Sequence, residues 1–474
     1  MPWSCCSGRW PWRTAFPRSD RRTVRRRCWW WALWSGGRWS RGGDTGPGSC
    51  SPGTGSLCFP CCPVTGTSCT PRRYDVEQPV WSAPADDAAT AAALQDRFAA
   101  LLGQEPDGVW AAPGRVNVIG EHTDYNGGFA LPMALPHRTY AAVRRREDGV
   151  LRLASAQRRG LWEGRVEDVR RDGVCGWPAY VAGVAAVLAE RVGAEAVGVD
   201  VLVDGHVPVG AGLSSSAALS CSLAVALRDL VPGLSQMSVE DLVTACVRAE
   251  NEVAGAATGG MDQTVSLRAV DGHLLLLDAR DFTVVPVAWT LPQHEVLVVD
   301  TRAHHSLADG QYERRRRTCE AAAAALRLTS LRELSADRLD DADVRSVLAG
   351  IPDAPARVRH VVTENDRVLD LVAGLREQDA SRVGALMTAS HVSLRDDYEV
   401  SAVELDVAVE AALGAGAEGA RMTGGGFGGS AIALVRREEV DVVAAAVLAA
   451  FVTAGLTPPV FLEAAPSRPA GRVL

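Results

Sequence analysis

Residues 208–219, with the sequence PVGAGLSSSAAL, are the part of the chain best suited to bind an anion. Gly210 and Gly212 have no Cβ, so the backbone there can adopt positive φ angles and bring N–H groups close to a phosphate. An alternating apolar run at 197–203 precedes the loop and an Ala/Leu-rich stretch follows it, which predicts a strand, a loop and a helix. The helix N-terminus would direct its unpaired N–H groups toward the same point. A phosphate-binding loop is the functional interpretation, and a turn before a buried helix is the alternative.

The chemistry available to this loop is restricted, because the chain contains no lysine and all 49 of its Lys and Arg residues are arginines. A Walker-type loop needs a lysine beside its last serine or threonine, and the protein-kinase fold needs a lysine on a strand next to the phosphates. The sequence therefore excludes both classes. Any phosphoryl transfer must use backbone N–H groups, hydroxyls, carboxylates, a metal ion and arginine.

Residues 112–128, APGRVNVIGEHTDYNGG, concentrate hydrogen-bonding side chains in a turn-rich segment. Carboxylates accept hydrogen bonds from hydroxyl groups, and a neutral histidine either donates or accepts. Arg115, Glu121, His122, Asp124 and Asn126 could therefore surround the hydroxyls of a sugar. For Glu121 alone, a solvated loop residue is the better explanation, but the complete set favours a sugar site.

A third segment, residues 249–263 (AENEVAGAATGGMDQ), places acidic residues at the end of a predicted helix and then a turn of small residues that leads to Asp262. Small residues allow the backbone to approach a ligand and hold the aspartate in place. An aspartate in this position could remove a proton from a hydroxyl or orient that hydroxyl. Glu250 could reach a metal ion from the helix, although its spacing alone is weak evidence for a metal site.

The last unusual segment, residues 419–431 (GARMTGGGFGGSA), has five glycines around Phe427 and precedes a predicted strand. So many glycines are explained by close approach of this backbone to a second loop or to a nucleotide. A tight turn without any ligand explains them equally well.

The elements that must position these segments alternate between helices and strands. The first helix begins after an N-cap at Asp86 or Asp87, ends at Gly103 and carries Leu101 on its predicted apolar face. Further helices are predicted at 177–192, 216–230, 239–254, 312–326 and 440–454, and strands at 108–118, 139–144, 197–203, 274–277, 296–299, 431–435 and 460–464. This order predicts an α+β protein with two lobes, 86–300 and 301–474, and a cleft between them.

The first 73 residues differ in composition from the rest of the chain. They contain twelve Arg, two Asp, eight Cys and eight Trp without a periodic apolar pattern. A disulfide module and a membrane or nucleic-acid contact are weaker interpretations than a misassigned start codon, with the true start near Val76 or Val80. We therefore predict that residues 1–85 are disordered or come from such a misassignment.

The remaining chain has a formal net charge of −18, which argues against nucleic acid as its partner. No apolar run is long enough to span a bilayer, so no membrane association is expected. Four scattered cysteines in this part, without metal-ligand spacing, predict a cytoplasmic protein.

Three of these segments together resemble the signature motifs of the GHMP small-molecule kinases. The motif within residues 112–128 resembles that of the galactokinase family. The matching sequences are GRVNVIGEHTDYNGG, PVGAGLSSSAAL and MTGGGFGGSAIALV, in the family's order. The segments GGMDQ, QYERRRRTCE, RHVVTEN and SHVSLRDDYEVS are also similar to galactokinase segments. The resemblance extends from about residue 86 to the C-terminus. It implies a GHMP kinase fold with an N-terminal lobe like ribosomal protein S5, a C-terminal ferredoxin-like lobe, and the active site between them.

The resemblance also implies a reaction, namely transfer of the ATP γ-phosphoryl group to the C1 hydroxyl of D-galactose in the presence of Mg²⁺. Asp262 matches the catalytic aspartate and Arg115 the arginine that steadies it. The sugar-binding positions are matched by Glu121, His122, Thr123, Asp124, Gly259 and Tyr312. The phosphate loop is matched by Gly210, Ala211, Gly212, Leu213, Ser214, Ser215 and Ser216, with Ser155 as a further nucleotide contact. Ser216 and Glu250 match the Mg²⁺ positions.

This sequence departs from the family pattern at residues 258–260, which read Thr-Gly-Gly where Cys-Gly-Ile is frequent, and in lacking a proline after Tyr312. Neither difference removes a reacting group. Two alternatives stay open: a related sugar-1-kinase that acts on another hexose, and a catalytically silent sensor of galactose and ATP. The complete phosphate loop, together with Asp262 and Arg115, favours an enzyme. We also predict a monomer with a small-molecule substrate.

Overall fold

The structure is a computed structural model that describes residues 78–170, 173–256, 258–303 and 310–474. Of the segment 1–85, which was predicted to be disordered or misassigned, residues 1–77 lie outside these ranges. Residues 78–85 are described, and Val80–Trp81 form a strand that pairs with Val460 and Phe461, so disorder was wrongly predicted for them. None of the helices in the described ranges combines the length and apolar character needed to cross a lipid bilayer.

Helices and strands alternate along the described chain. The helices are α1 (Asp87–Leu102), α2 (Trp177–Val192), α3 (Ser215–Leu230), α4 (Val239–Arg248), α5 (Met261–Arg268), α6 (Gln311–Ala325), α7 (Ala342–Ala349), α8 (Ala354–Glu377), α9 (Ala380–Asp396), α10 (Val403–Gly414) and α11 (Val440–Ala454). The strands are β1 (Val80–Trp81), β2 (Gly108–Asn117), β3 (Phe129–Ala130), β4 (Pro132–Arg146), β5 (Val150–Ser155), β6 (Leu161–Arg165), β7 (Gly198–Gly205), β8 (His273–Asp278), β9 (Thr283–Ala288), β10 (His294–Asp300), β11 (Gly419–Thr423), β12 (Ser430–Arg436), β13 (Val460–Ala464) and β14 (Gly471–Arg472).

The first large sheet has the strand order β14-β2-β4-β7-β5-β6, and its strands are antiparallel except for the parallel pair β5 and β7. One face packs against α2, α3 and α4 through apolar side chains that include Val201, Leu223 and Leu242. The opposite face is covered by α1, where Leu94 and Phe98 are buried. Because both faces are covered, β2 is buried along its whole length, and it ends beside the candidate site.

The second sheet has the order β1-β13-β10-β12-β11 and packs against helices from the second half of the chain. A separate cluster joins the two halves, since Val116 and Leu213 from the first half contact the same core as Val368 and Ile432. This shared core supports the segments that line the cleft.

Several predicted elements match the structure, including α2, α11 and β13, which have the predicted bounds. Asp86 caps α1 by accepting a hydrogen bond from the Ala89 N–H at 2.8 Å, and Gly103 ends it in the left-handed conformation. The prediction for Leu101 was wrong, because its side chain is 54% exposed at the end of α1. The single helix predicted at 239–254 is α4 followed by a π-helical turn at Ala249–Ala254.

The predicted division of the chain at residue 300 stays a prediction. Each of the two large sheets contains strands from both sides of this residue. Strand β10 precedes residue 300 but pairs with β12 and β13 in the second sheet. In the opposite direction, β14 from the C-terminal end pairs with β2 in the first sheet.

Gly384 on α9 and Gly419 at the start of β11 are in such close contact that neither position has room for a side chain. A Cβ at Gly384 would overlap the carbonyl oxygen of Glu418. We expect Gly384→Ala to lower the free energy of unfolding by about 1–3 kcal/mol, because the helix must move away from the strand. Chemical denaturation measures this loss. Gly414→Ala is the matched control, since a Cβ there has nothing within 4 Å; an equal loss in both variants would contradict the steric explanation.

Candidate active site

A cleft of about 360 Å³ brings together the segments that the sequence predicted to carry chemistry. The loop before α3, the turn after β2, the start of α5 and the glycine-rich loop after β11 all contribute to its walls. Among its lining residues are Arg115, Glu121, His122, Asp124, Gly210, Gly212, Ser214, Ser216, Glu250, Gly259, Asp262 and Tyr312.

The polar centre of the cleft is the carboxylate of Asp262, in the first turn of α5. Arg115 donates a hydrogen bond from Nε to Asp262 Oδ1 at 2.9 Å, and its Nη2 forms an ion pair with the same oxygen at 2.9 Å. Ser214 donates its hydroxyl proton to Asp262 Oδ2 at 2.6 Å. The carboxylate is thus fixed from two sides, and its side chain keeps 23% of its surface exposed for a substrate to approach. As the sequence predicted, a turn of small residues leads to Asp262, and α5 begins at the end of that turn.

Arg115 reaches this position because strand β2 leaves its regular pairing with β4 between Pro113 and Arg115. Proline has no N–H for the ladder, and Gly114 has no side chain, so a bulge is favoured here. A Cβ on Gly114 would lie 2.6 Å from the Leu213 carbonyl oxygen. The Arg115 N–H instead donates to that oxygen at 3.1 Å, which ties β2 to the phosphate loop.

The loop before α3 has the backbone geometry expected of an anion site. Gly210 and Gly212 have φ angles of 85° and 73°, and the space around their missing Cβ atoms is open to 4 Å. Ser214 is also left-handed, with a φ of 61°. The first N–H groups of α3 follow directly and have no acceptor within the helix, so they can bind a negatively charged group.

The glycine-rich loop after β11 supports this phosphate loop from behind. Ser430 donates to the carbonyl oxygen of Ala211 at 2.8 Å, and a Cβ on Gly429 would lie 3.3 Å from the same oxygen. Of the interpretations left open by the sequence, the structure shows the close approach of this backbone to a second loop.

The predicted sugar-binding residues Glu121, His122, Asp124, Gly259 and Tyr312 also line the cleft. A Cβ on Gly259 would lie 3.1 Å from Asp124 Oδ2, so the glycine gives this carboxylate room. Burial, and also the charge of Asp262, raises the pKa of Asp124. The rings of His122 and Tyr312 pack with centroids 5.6 Å apart. His122 Nδ1 is 2.9 Å from the Tyr125 hydroxyl.

Glu121 lies at the back of the cleft and makes the most protein contacts of the predicted sugar residues. Its Oε2 accepts from Arg421 Nη2 at 2.5 Å and from Asn117 Nδ2 at 2.9 Å. Its Oε1 accepts from the Gly424 N–H at 2.8 Å and lies 3.2 Å from the Thr423 hydroxyl. Burial raises the pKa of this carboxyl, and Arg421 opposes that rise.

Glu250 and Ser216 meet on the phosphate side of the cleft. The π-helical turn that follows α4 carries Glu250, which is 6% exposed and accepts from Gln263 Nε2 at 2.7 Å. Burial, followed by the charge of Asp262, raises the pKa of Glu250 to about 7, and a hydrogen bond from Ser216 opposes this rise. Among the described residues, no group of three or more His, Cys, Asp and Glu could form a metal site.

Four of the predicted site residues do not line the cleft in this structure: Thr123, Asn126, Ala211 and Ser155. Asn126 Nδ2 donates to the carbonyl oxygen of His122 at 2.9 Å. The Thr123 hydroxyl donates within its own loop, to the carbonyl oxygens of Gly120 and Phe129. Ala211 is buried behind the phosphate loop. Ser155 lies at the end of β5, where its hydroxyl is 3.2 Å from Gln157 Oε1. The predicted roles of these residues stay predictions.

Other residues contribute to the site although the sequence reasoning did not identify them. Asn117 and Tyr180 line the cleft, and Arg421 is completely buried behind it. Asn117 lies in the polar segment 112–128, so the sequence could have identified it as a candidate site residue. No sequence pattern indicates Arg421, because only the fold brings β11 to the turn after β2.

Two buried histidines, His122 in the cleft and His360 behind Glu121, are expected to make the stability of the protein sensitive to acid. His360 is fully buried, with Nε2 3.1 Å from the Glu121 carbonyl oxygen and Nδ1 3.0 Å from Ser393 Oγ. Burial lowers its pKa from 6.5 to about 4, although the nearby Glu364 favours the charged form. Burial lowers the pKa of His122 to about 3.

We expect the free energy of unfolding to decrease as the pH falls from 6.5 to 4. In this range the unfolded chain binds protons at these histidines and the folded chain does not, so protonation favours unfolding. His360 alone should account for about 3 kcal/mol at pH 4. Urea denaturation at several pH values measures the slope, and His360→Gln should reduce it. An unchanged slope in this variant would contradict the assignment to His360.

Comparison with known proteins agrees with this arrangement. Residues 96–145 match the galactokinase galactose-binding signature, residues 179–269 the GHMP kinases N terminal domain, and residues 371–453 the GHMP kinases C terminal domain. The chain is 48% identical to the galactokinase of Streptomyces coelicolor over 390 residues, which cover 81% of this chain and 99% of that protein. It is 41% identical to the galactokinase of Chloroflexus aurantiacus, over 75% of this chain and 90% of the relative.

Solved structures give the same result. The Lactococcus lactis galactokinase, solved in complex with galactose, matches with a TM-score of 0.74 and 31% identity, covering 81% of this chain and all of that one. The Methanococcus jannaschii mevalonate kinase has a TM-score of 0.55 at 17% identity, covers 76% of this chain and 98% of that one, and shows a shared fold. These matches confirm the predicted α+β fold of the GHMP kinases, and the chain belongs to the galactokinase family.

Proposed function

We propose that the cleft transfers the γ-phosphoryl group of ATP to the C1 hydroxyl of D-galactose and releases α-D-galactose 1-phosphate and ADP. The observation that carries this proposal is the fixed Arg115–Asp262–Ser214 arrangement, which lies between an anion-binding loop and a wall of hydroxyl-binding side chains. The galactose bound to the Lactococcus relative supports the choice of sugar.

Asp262 is the proposed catalytic residue, because its carboxylate could accept the proton of the C1 hydroxyl or hold that hydroxyl in line with the phosphate. Its two protein partners leave it rigid, and phosphoryl transfer depends mainly on positioning and charge stabilisation. Arg115 would keep Asp262 in place and balance negative charge that develops on the transferred group. The chain thereby uses arginine for a task that other kinases give to lysine.

The phosphates of ATP would lie at the loop that includes Gly210, Gly212 and Ser214 and at the N-terminus of α3. The open space at the two glycines and the free N–H groups of the first turn fit a polyanion. Asp124, His122 and Tyr312 would bind the sugar on the opposite side.

Mg²⁺ fits the pair formed by the Ser216 hydroxyl and the buried Glu250 carboxylate. Mg²⁺ is normally held by one or two carboxylates together with water and substrate phosphates, so a larger cluster of acidic ligands is not required. Bound there, it would neutralise charge on the phosphates. The close carboxylate of Asp262 would also be stabilised by a cation at this point.

The proposal includes a monomeric enzyme that is located in the cytoplasm. The four cysteines of the described ranges (Cys175, Cys221, Cys246 and Cys319) are free, which supports a reducing cytoplasm.

An assay that couples ADP release to NADH oxidation tests the function directly. Galactose, glucose, N-acetylgalactosamine and a control without sugar should be compared in the presence of ATP and Mg²⁺. We expect ADP release with galactose well above the control. A preference for N-acetylgalactosamine would instead support a related sugar-1-kinase, and binding of galactose without any ADP release would support a sensor.

A further inference from the structure

The residues Glu121, His122 and Asp124 line the cleft from a single loop, residues 118–128 between β2 and β3, which we call the sugar loop. Because this loop lies outside the strands, its buried backbone groups need hydrogen-bond partners from other elements. Helix α8, from the second half of the chain, supplies three such partners. The first is His360, whose Nε2 lies 3.1 Å from the Glu121 carbonyl oxygen.

The second partner is the buried carboxylate of Glu364. Its Oε1 accepts a hydrogen bond from the Gly120 N–H at 3.0 Å and another from the Ser390 hydroxyl at 2.6 Å. Its Oε2 accepts from Arg367 Nε at 2.7 Å. Burial acts to raise the pKa of this carboxyl, but the charge of Arg367 opposes burial, and the pKa falls to about 2. Glu364 is therefore ionised at neutral pH, and hydrogen bonds to a charged acceptor are stronger than neutral ones.

The third partner, Asn365, holds the other end of the sugar loop. Its Oδ1 accepts from the Phe129 N–H at 2.8 Å, and its Nδ2 donates to the Val361 carbonyl oxygen at 2.9 Å, which fixes the orientation of the amide. A Cβ on Gly128 would lie 2.5 Å from Asn365 Oδ1, so the glycine allows the helix to approach the loop. Neighbouring residues of α8 thus bind the loop at both of its ends.

Between these attachments the sugar loop has a backbone conformation that must be enforced. Gly120 has a φ of 97°, and His122 has a φ of 61° although it carries a side chain. A residue other than glycine keeps such a conformation only where its surroundings determine it. Loss of an attachment should therefore displace the sugar loop. The phosphate loop should not follow, because it is supported by Ser430 instead.

We propose that Glu364 and Asn365 are positioning residues for the sugar: they fix the two ends of the sugar loop, so that its side chains bind galactose. Neither residue lines the cleft, so both act through the loop. This inference rests on the proposed function, because galactose is the substrate proposed for the same site. A small displacement of positioning groups is enough for a large loss. The proposal predicts a loss of galactose affinity without a matching loss of nucleotide affinity.

Calorimetric titration of the natural protein and its variants measures Kd for galactose and, separately, Kd for ADP with Mg²⁺. Glu364→Met removes the acceptor for the Gly120 N–H. We expect its Kd for galactose to rise about tenfold or more, while its Kd for ADP stays that of the natural protein. Glu364→Gln keeps an oxygen for the Gly120 N–H, because Arg367, whose side chain is 15% exposed, can turn toward solvent. The glutamine variant should recover most of the galactose affinity.

Asn365→Leu removes the attachment at Phe129 and tests the proposal independently if Glu364→Met does not fold. It should also raise Kd for galactose and leave Kd for ADP unchanged. An unchanged Kd for galactose in this folded variant would overturn the role of Asn365.

Arg367→Met is the matched control, because Arg367 binds the other oxygen of the same carboxylate. It should lower the stability measured by urea denaturation but keep both Kd values of the natural protein. An unchanged Kd for galactose in folded Glu364→Met, or an equal rise of Kd for galactose and ADP, would overturn the role of Glu364. An equal rise of Kd for galactose in Arg367→Met would overturn it as well. If the natural protein itself bound no galactose, the proposed function would be overturned, and this inference with it.

Discussion

Replacing Asp262 by asparagine is expected to lower kcat by roughly 10²–10⁴-fold, the usual contribution of a group that handles a proton in the transition state. Asparagine has almost the same shape as aspartate, so the position of α5 should not change. Its amide oxygen can still accept from Arg115, and the Ser214 hydroxyl can rotate from donating to accepting. Binding of galactose should therefore persist while turnover is lost.

Steady-state ADP release measures kcat for this variant, and calorimetric titration with galactose measures Kd. Asp441→Asn is the matched control, because Asp441 is also in the first turn of a helix but is exposed and does not line the cleft. It should keep the kcat of the natural protein. Near-normal turnover in folded Asp262→Asn would remove Asp262 from the mechanism.

Replacing Arg421 by methionine is expected to have the largest effect on stability. Arg421 is fully buried and pairs with Glu121, which is 4% exposed. Removing one partner of a buried ion pair leaves the other charge uncompensated, at a cost of about 3–5 kcal/mol. The same change frees the end of β2 and the glycine-rich loop, so kcat/KM for galactose should fall as well. Urea denaturation measures the first effect and the coupled assay the second.

The double variant Glu121→Gln/Arg421→Met separates the charge effect from the loss of packing. It removes both charges, so it should be more stable than Arg421→Met alone. Arg436→Met is the control for a surface pair: Arg436 lies 3.3 Å from Glu418 with its side chain 54% exposed. Exposed pairs contribute about 0–1 kcal/mol, so this variant should unfold almost like the natural protein. Equal losses for Arg421→Met and Arg436→Met would show that the buried pair has no special role.

The local parts of the site could be predicted from the sequence, because they depend on residue types that are close along the chain. Gly210 and Gly212 before an Ala/Leu-rich helix predicted the phosphate loop, and the structure gives both glycines positive φ angles. The dense polar segment around Asp124 predicted a further part of the cleft wall. In both cases, residues that are close along the sequence are also close in the folded protein.

The remaining features depend on contacts that no local pattern encodes. The pairing of Glu121 with Arg421 joins residues 300 positions apart. The bulge at Gly114 brings Arg115 to Asp262 only because the Leu213 carbonyl lies beside it. The π-helical turn that carries Glu250 has the same residue types as an ordinary helix. Strands β5 and β6 were missed, since polar residues interrupt their short apolar patterns, and β9 was missed because Pro286 lies within its run.

The central claim is that this cleft phosphorylates the C1 hydroxyl of galactose, and ³¹P and ¹H NMR of the reaction product test it most directly. The protein is incubated with ATP, Mg²⁺ and galactose, and the new phosphate ester is located by its coupling to the sugar protons. We predict a single sugar phosphate whose phosphorus couples to the anomeric proton in the α configuration. A phosphate at C6, or ADP without any sugar phosphate, would contradict the account.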